Sequence, residues 1–312
     1  MGTLAVSNAW SGAEHTAPER FAPSSSAGRP VVLKLASFNI QTGIATSSYR
    51  DYITGGWRHV LPSTKRLPNL NRIAQQLRGF DIVGLQEVEG GGMRSHHIVQ
   101  TQYLAENAGF AYWHNQVNRR IGNLAVHCNG LLSRKAPDFI RDYNLPGLPG
   151  RGALLARFGV DPKNALYVCV VHLALSRRAR LKQVSFISEL IGHLPYVVMM
   201  GDLNCEPDTP ELQLLLRATH LSDPVCRLET FPSWKPRKML DHILVTPSLL
   251  VRRLRVIDFA CSDHLPVAME VCLPDALAQA LGLSRMDGES AGHRESLAFS
   301  RDAGVSPGGR AR

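Results

Sequence analysis

Several short apolar segments of the sequence end in a side chain that can bind a metal ion or move a proton. The clearest is 197–200, four apolar residues followed by Gly201, Asp202 and Asn204. The apolar residues do not alternate with polar ones, which is typical of a strand buried on both faces. Asp202 and Asn204 are then predicted to lie where this strand ends, with their side chains on the same side of the chain. A polar turn that caps the next helix would explain this single segment equally well.

The same arrangement recurs along the chain, with a polar residue that follows or opens an apolar run. A single such residue is usually a buried polar group with a hydrogen-bond partner. A whole set is harder to explain by packing, because each buried polar group left unpaired costs roughly 1–3 kcal/mol. We therefore interpret the set as a functional site. Its further members are Asn39, Glu87, His172, Asp241, Asp263 and His264.

These residue types favour phosphorus chemistry assisted by a metal ion. Oxygen ligands from Asn39 and Glu87 suit Mg²⁺ or Mn²⁺, which bind through one or two carboxylates and substrate phosphate. No predicted helix carries a histidine pair, so a zinc hydrolase is a poor match. His172 and His264 fit general acid–base catalysis, and Asp263 or Asp241 is placed to orient His264.

The segments also resemble a known family in their order along residues 31–273. They are similar to the motifs of the endonuclease/exonuclease/phosphatase superfamily, the DNase I-like group of metal-dependent phosphoesterases. This resemblance implies a four-layer α/β sandwich built from two mixed β-sheets. The segments are Phe38-Asn39, Leu85-Gln86-Glu87-Val88, Val171-His172-Leu173, Gly201-Asp202-Leu203-Asn204, Leu240-Asp241-His242-Ile243 and Ser262-Asp263-His264-Leu265-Pro266.

The resemblance assigns Asn39 and Glu87 to metal binding and places Asp263 near the metal. It implies that His172 contacts the phosphate as an acid or an electrostatic stabiliser. Asp202 corresponds to the residue that positions or activates the attacking water.

On the same basis, Asn204 binds the scissile phosphate, and His264, supported by Asp241, is a base or a phosphate contact. The resemblance leaves the choice of base between Asp202 and His264 open. Two further residues, Asn129 and Arg151, match recurring family features and are expected to bind phosphate.

Strands dominate the predicted elements, with helices between some of them. The pattern predicts an α/β (α+β) fold in which two sheets pack face to face and are flanked by helices. A doubly wound parallel sheet is disfavoured, because 110–171 has several strands and no room for crossover helices. We expect strands at 31–40, 81–88, 112–118, 124–133, 153–158, 166–173, 197–200, 240–245, 250–259 and 265–273, and helices at 66–78, 99–108, 177–193, 211–218 and 275–283.

Residues 1–30 and 274–312 are rich in small and polar residues, so we expect disordered tails, the second with one weak helix, around a domain at 31–273. Each tail has zero net charge, and the +9 of the chain therefore belongs to the domain. Such a basic domain favours phosphate, nucleic acid or an anionic membrane surface as its partner. Two basic clusters, around Arg177–Lys182 and Trp234–Lys238, are expected at the rim of the site.

The six cysteines form no C-x-x-C pair, which favours buried thiols in a reducing compartment. No secretory signal or membrane-spanning segment is apparent, so we expect a cytoplasmic enzyme. We also expect it to be a monomer. The predicted reaction is metal-dependent hydrolysis of a phosphodiester in a nucleic acid or nucleotide. Phospholipid or inositol-phosphate hydrolysis at a membrane surface is the alternative, and the intact motif residues argue against an inactive phosphate-binding scaffold.

Overall fold

A computed structural model describes residues 30–46, 66–147, 149–223 and 228–283. Within these ranges the structure has eleven strands and five α-helices. The strands are β1 (Val32–Asn39), β2 (Ile82–Glu89), β3 (Tyr112–Ile121), β4 (Ala125–Ser133), β5 (Phe139–Asn144), β6 (Gly152–Phe158), β7 (Leu166–His172), β8 (Tyr196–Asp202), β9 (Asp241–Val245), β10 (Leu250–Val256) and β11 (Val267–Cys272). The helices are α1 (Arg66–Leu77), α2 (Gln100–Ala108), α3 (Arg177–Ile191), α4 (Pro210–Ala218) and α5 (Asp275–Ala280).

The strands form two mixed sheets, which confirms the predicted fold class. One sheet has the order β10-β11-β1-β2-β4-β3, and the other has the order β5-β6-β7-β8-β9. Each contains one parallel pair, β1 with β2 and β7 with β8, while the other neighbours are antiparallel. The doubly wound alternative is therefore wrong.

Three apolar clusters separate the four layers. The central one lies between the sheets, where Leu35 and Met269 of the first sheet belong to the same cluster as Val168 and Met200 of the second. A second cluster packs α1 and α2 on the first sheet. A third packs α3 and α4 on the second sheet. Burial on both faces explains why the strands read as continuous apolar runs in the sequence.

The structure corrects two details of the sequence interpretation. Strand β5 was not predicted, because it is an edge strand whose residues are exposed or half-buried and show no apolar alternation. The folded region also continues beyond the predicted boundary at residue 273. Helix α5 contributes Leu277 and Ala278 to the central cluster, because this part of the presumed tail carries buried apolar residues.

The other predicted elements are present, with boundaries shifted by a few residues. No helix in the described ranges is long and apolar enough to cross a membrane. Five cysteines in these ranges are free thiols, four of them buried: Cys128, Cys169, Cys205, Cys261 and Cys272. Cys226 and the predicted tails at 1–29 and 284–312 lie outside the described residues.

Candidate active site

The site forms where the carboxyl ends of the two parallel strand pairs meet. Asn39 and Glu87 come from β1 and β2, while His172 and Asp202 end β7 and β8. The two sheets are joined here by a hydrogen bond of 3.1 Å from Asn39 Nδ2 to Asp202 Oδ2. Four residues predicted from separate segments are thus brought to one edge of the sandwich.

Backbone geometry fixes Asp202 in place. Gly201 has φ +152°, and a Cβ atom there would overlap the carbonyl oxygen of Val171 on the neighbouring strand. Only glycine fits this close approach. Beyond it, Asp202 Oδ1 accepts a hydrogen bond of 2.9 Å from the backbone N–H of Asn204. Asn204, in the left-handed region with φ 51°, donates from Nδ2 to the carbonyl oxygen of Leu173 at 3.0 Å.

His264 is paired with an acid. Its Nδ1 donates to Asp241 Oδ2 at 2.7 Å, and the Thr230 hydroxyl donates to the same oxygen at 2.5 Å. The ring of Phe231 lies against the imidazole with its centroid 4.9 Å away. Burial lowers the pKa of His264, but the carboxylates of Asp241 and Asp202 outweigh it and raise this pKa to about 10.

His172 is instead paired with a cation, the guanidinium of Arg151. Arg151, predicted to bind phosphate, donates from Nη1 to Nδ1 of His172 at 3.0 Å. The other ring nitrogen, Nε2, lies 3.4 Å from Asp202 Oδ2 and 3.9 Å from Glu87 Oε1. Burial and the positive charge of Arg151 lower the pKa of His172 well below its usual value.

Asp202 lies between the two histidines. Its Oδ2 is 3.4 Å from Nε2 of His172 and 3.8 Å from Nε2 of His264. Burial raises the pKa of Asp202 to about 7, although the charge of His264 opposes this rise. A carboxyl group with a pKa near neutrality can exchange protons under physiological conditions.

Two sets of side chains have the chemistry to hold a metal ion. The first is the predicted set of Asn39, Glu87 and Asp263. The backbone of Glu87 has φ 54°, an uncommon conformation for a residue other than glycine. Burial and the nearby charge of Glu87 raise the pKa of Asp263 to about 6. The second set is Asp202, Asp241 and His264, which offer ligand atoms within 4.8 Å of one another.

Asn129, which was predicted to bind phosphate, makes hydrogen bonds within the fold. Asn129 is fully buried, and its Nδ2 donates to Gln116 Oε1 at 3.0 Å and to the carbonyl oxygen of Gly152 at 3.1 Å. These contacts join β4 to β3 and to the start of β6. Asn129 therefore supports the residue that follows Arg151.

One member of the predicted basic rim is also structural. Arg180 donates from Nε and Nη2 to Oε1 of the buried Glu211, at 2.8 and 2.5 Å. Its Nη1 donates to the carbonyl oxygen of Leu175 at 2.5 Å. Arg180 thus braces the loop after His172 against α4, whereas Lys235 and Arg237 remain exposed as expected.

Several contributors to the site were not predicted as functional. Thr230 and Phe231 contact the Asp241–His264 pair, and the Ser262 hydroxyl donates to the carbonyl oxygen of Asn39 at 2.7 Å. The only available signal was position, since Thr230 and Phe231 precede Asp241 by about ten residues within a motif-bearing segment.

Comparisons with known proteins agree with this architecture. Among solved structures, an endonuclease/exonuclease/phosphatase from Beutenbergia cavernae is 22% identical with a TM-score of 0.61, covering 80% of this chain and 73% of its own. A family protein from Bacteroides thetaiotaomicron is 18% identical with a TM-score of 0.60, covering 80% and 98%. A mannosyl-6-phosphatase from the same organism is 19% identical with a TM-score of 0.57, covering 77% and 100%.

A search of curated protein sequences gave no match. At such identities the solved structures show a shared fold only. The model of one protein family, however, matches residues 36–264, well over half of the chain. This span includes every residue of the site described above. The chain belongs to the endonuclease/exonuclease/phosphatase family.

Proposed function

We propose that the protein is a metal-dependent phosphodiesterase in which Asp202 accepts the proton of the attacking water. The position of Asp202 between two histidines of opposite character carries this proposal. Its Oδ2 is within 4 Å of both imidazoles, at 3.4 and 3.8 Å. A pKa raised to about 7 suits a general base that works near neutral pH.

The carboxylates beside His264 argue against this residue as the base. With a pKa raised to about 10, His264 is an imidazolium at neutral pH and has no lone pair with which to take a proton. Its positive charge instead suits stabilisation of the negative charge that grows on the phosphorane oxygens during in-line attack. Asn204, fixed beside Asp202, is then the proposed neutral contact to the scissile phosphate.

The proposed metal ligands are Glu87, Asp263 and Asn39. Their oxygen atoms suit Mg²⁺ or Mn²⁺. Burial, together with the charge of Glu87, raises the pKa of Asp263 to about 6, and a bound cation would relieve the repulsion between these two carboxylates. When bound, the ion would polarise a phosphoryl oxygen as a Lewis acid. The alternative set of Asp202, Asp241 and His264 is less suitable for Mg²⁺, because one of its three members is an imidazole and this hard cation prefers oxygen ligands.

For the substrate we propose a phosphodiester of a nucleic acid or nucleotide, because the net charge of +9 favours polyanions. A specific observation favours a second candidate, a phospholipid or inositol phosphate at an anionic membrane. Leu175, three residues after His172, is 76% exposed, and Met93, six residues after Glu87, is 52% exposed. Exposed apolar side chains on a basic domain suit contact with an anionic lipid surface. The cytoplasmic location and monomeric state remain predictions.

The test is hydrolysis of bis-p-nitrophenyl phosphate with and without Mg²⁺ or Mn²⁺. Asp202→Ala should lower kcat by about 10²- to 10⁴-fold, the range typical of a lost general base. Glu206→Ala is the matched control, since this exposed acid lies in the same loop. A wild-type protein without metal-dependent turnover would refute the proposal, as would equal kcat values for the two variants.

The substrate candidates are separated with natural substrates. Nicking of supercoiled plasmid or release of mononucleotides supports the first candidate. Release of a phosphorylated headgroup from anionic vesicles, with no nicking, supports the second. Both assays use the Asp202→Ala protein as the background control, so that a contaminating nuclease or lipase is recognised.

A further inference from the structure

The histidine that ends β7 has an arginine behind it, where a histidine that acts as a base usually has an acid. Arg151 Nη1 lies 3.0 Å from Nδ1 of His172. A guanidinium has only N–H donors and stays protonated in proteins. Nδ1 must therefore be the acceptor, and the proton of the neutral ring resides on Nε2. That nitrogen faces Asp202 and Glu87 at 3.4 and 3.9 Å.

We propose that Arg151 is a positioning residue that holds His172 in the Nε2–H tautomer, as a hydrogen-bond donor toward the substrate. This differs from the direct phosphate contact expected from the sequence. The inference about the tautomer rests on the contact between the two side chains. Only the identity of the acceptor, a phosphate oxygen, rests on the proposed function.

The backbone that carries Arg151 is held by a bridge of amides between the two sheets. Gln116 of β3 donates from Nε2 to the carbonyl oxygens of Tyr143 and Ala153, at 3.0 and 2.9 Å. Asn129 donates to Gln116 and to the carbonyl oxygen of Gly152. The residues beside Arg151 are thus tied to β5 of the same sheet and to β3 and β4 of the opposite sheet.

The position after Arg151 shows how closely this bridge packs. A Cβ atom on Gly152 would overlap Asn118 Oδ1 and would lie 2.7 Å from the Gln116 side-chain amide. Any larger residue would displace the bridge. Arg151 is therefore half-buried on a rigid strand end, where its guanidinium reaches His172 rather than open solvent.

The tautomer decides what His172 can do. A carboxylate behind the ring would hold the proton on Nδ1 and leave Nε2 as a lone pair, ready to act as a base. Arginine reverses this arrangement. A neutral imidazole is a good hydrogen-bond donor but too weak an acid to release its remaining proton at neutral pH. His172 therefore stabilises charge on a substrate oxygen without taking part in proton transfer.

The experiment reads the tautomer directly. Full-length protein labelled with ¹⁵N-histidine is studied by long-range ¹H–¹⁵N correlation at pH 7.5, and His172→Gln assigns the His172 signals. In the wild type, Nε2 should appear as the protonated nitrogen and Nδ1 as the bare one. Arg151→Met should give Nδ1–H or a mixture, whereas Arg151→Lys, which keeps a cationic donor, should retain more of the Nε2–H form.

Kinetics with bis-p-nitrophenyl phosphate provide the second measurement. Arg151→Met should lower kcat by about 10- to 100-fold, as is typical when the partner behind a functional histidine is removed, with little change in KM. Arg151→Lys should recover part of this loss. Arg157→Met is the matched control, because it removes a cation from β6, the strand that follows Arg151, where Arg157 lies over the ring of Phe139.

Two results would overturn the inference. One is a wild-type spectrum with the His172 proton on Nδ1. The other is an Arg151→Met protein that keeps the Nε2–H tautomer and loses activity through a higher KM, which would make Arg151 a direct substrate ligand. If wild-type protein hydrolyses no phosphodiester, the proposed function fails, but the spectrum still decides the tautomer. If Arg151→Met does not fold, the wild-type and Arg151→Lys spectra decide it.

Discussion

His172 and His264 approach the same carboxyl oxygen from the two sides of the site, but the residues behind them carry opposite charges. Behind His172 stands Arg151, at 3.0 Å, and behind His264 stands Asp241, at 2.7 Å. Both rings are almost fully buried. Burial alone would therefore lower both pKa values, and the second partner is what separates them.

Because of these opposite partners, Asp202 has a neutral imidazole, His172, on one side and an imidazolium, His264, on the other. The pKa of His172 lies well below its usual value, while that of His264 is raised to about 10. Identical side chains thus acquire different chemistry from neighbours that never need to touch the substrate. A site built this way can donate a hydrogen bond from one side and present a full positive charge from the other.

The substitution with the largest expected effect is Asp241→Asn, which tests whether the charge of His264 depends on the carboxylate behind it. The change keeps the shape of the side chain but removes the largest of the carboxylate charges that raise the pKa of His264. We expect kcat for bis-p-nitrophenyl phosphate to fall by about 10²- to 10³-fold, the range typical of a lost electrostatic stabiliser of the transition state. Steady-state kinetics at pH 7.5 measure this effect.

Thr230→Val is the control for Asp241→Asn. It removes one hydrogen bond to Asp241 Oδ2 but leaves the carboxylate charge in place. The loss of one net hydrogen bond should cost about 0.5–1.5 kcal/mol, so kcat should fall about tenfold or less. If both variants lose the same activity, the charge on His264 does not matter and the comparison fails.

Metal affinity sharpens the comparison, because it shows whether Asp241 and His264 are a catalytic pair or metal ligands. We expect Glu87→Gln to weaken Mn²⁺ binding by about tenfold or more, since a hard cation depends on ligand charge. Asp241→Asn should leave the affinity close to that of the wild type. Titration of Mn²⁺ followed by electron paramagnetic resonance measures both, and the reverse order of effects would favour the Asp202, Asp241 and His264 set.

Much of the site was predictable from the sequence. The recurrence of polar residues at the ends of apolar runs predicted the site, and the structure explains it. Strands that run side by side in the same direction end at the same edge of a sheet, and Asn39 and Glu87 lie on one such pair, His172 and Asp202 on the other. The register places His172 directly opposite Asp202. The order of short motifs then indicated the family, and its fold is confirmed. The catalytic and metal-binding roles stay predictions until they are measured.

The pairings behind the two histidines could not be predicted in the same way. Arg151 reaches His172 because β6 runs antiparallel to β7 with Ala153 opposite Val171, a register that no local pattern encodes. Arg180 looked like a substrate-facing cation, yet it is held by Glu211, 31 residues away. Edge strand β5 has no apolar face to reveal it. Side-chain partners across strands depend on register and tertiary packing, which a single sequence does not determine.

The smallest expected effect is on stability, where the contributions of Asp202 and His264 are both lost as the pH rises but in different pH ranges. The folded-state pKa of Asp202, about 7, lies above the ordinary value of 3.8. Its contribution to stability is therefore present below pH 3.8 and is lost as the pH rises through 7. Asp202→Asn removes the cost of burying a charged carboxylate above pH 7. It should therefore raise the free energy of unfolding at pH 8 by about 0.5–2 kcal/mol, with little change near pH 4.

His264 gives the contrasting case. Its folded-state pKa of about 10 lies above the ordinary value of 6.5, so its contribution is present below pH 6.5 and is lost only as the pH rises through 10. Asp241→Asn should therefore destabilise the protein at pH 7 and do so less at pH 10. Urea unfolding in a chelator, which removes any bound cation, measures both variants. A stabilised Asp241→Asn protein at pH 7 would mean that His264 is neutral in the fold, and the two histidines would then differ in geometry but not in charge.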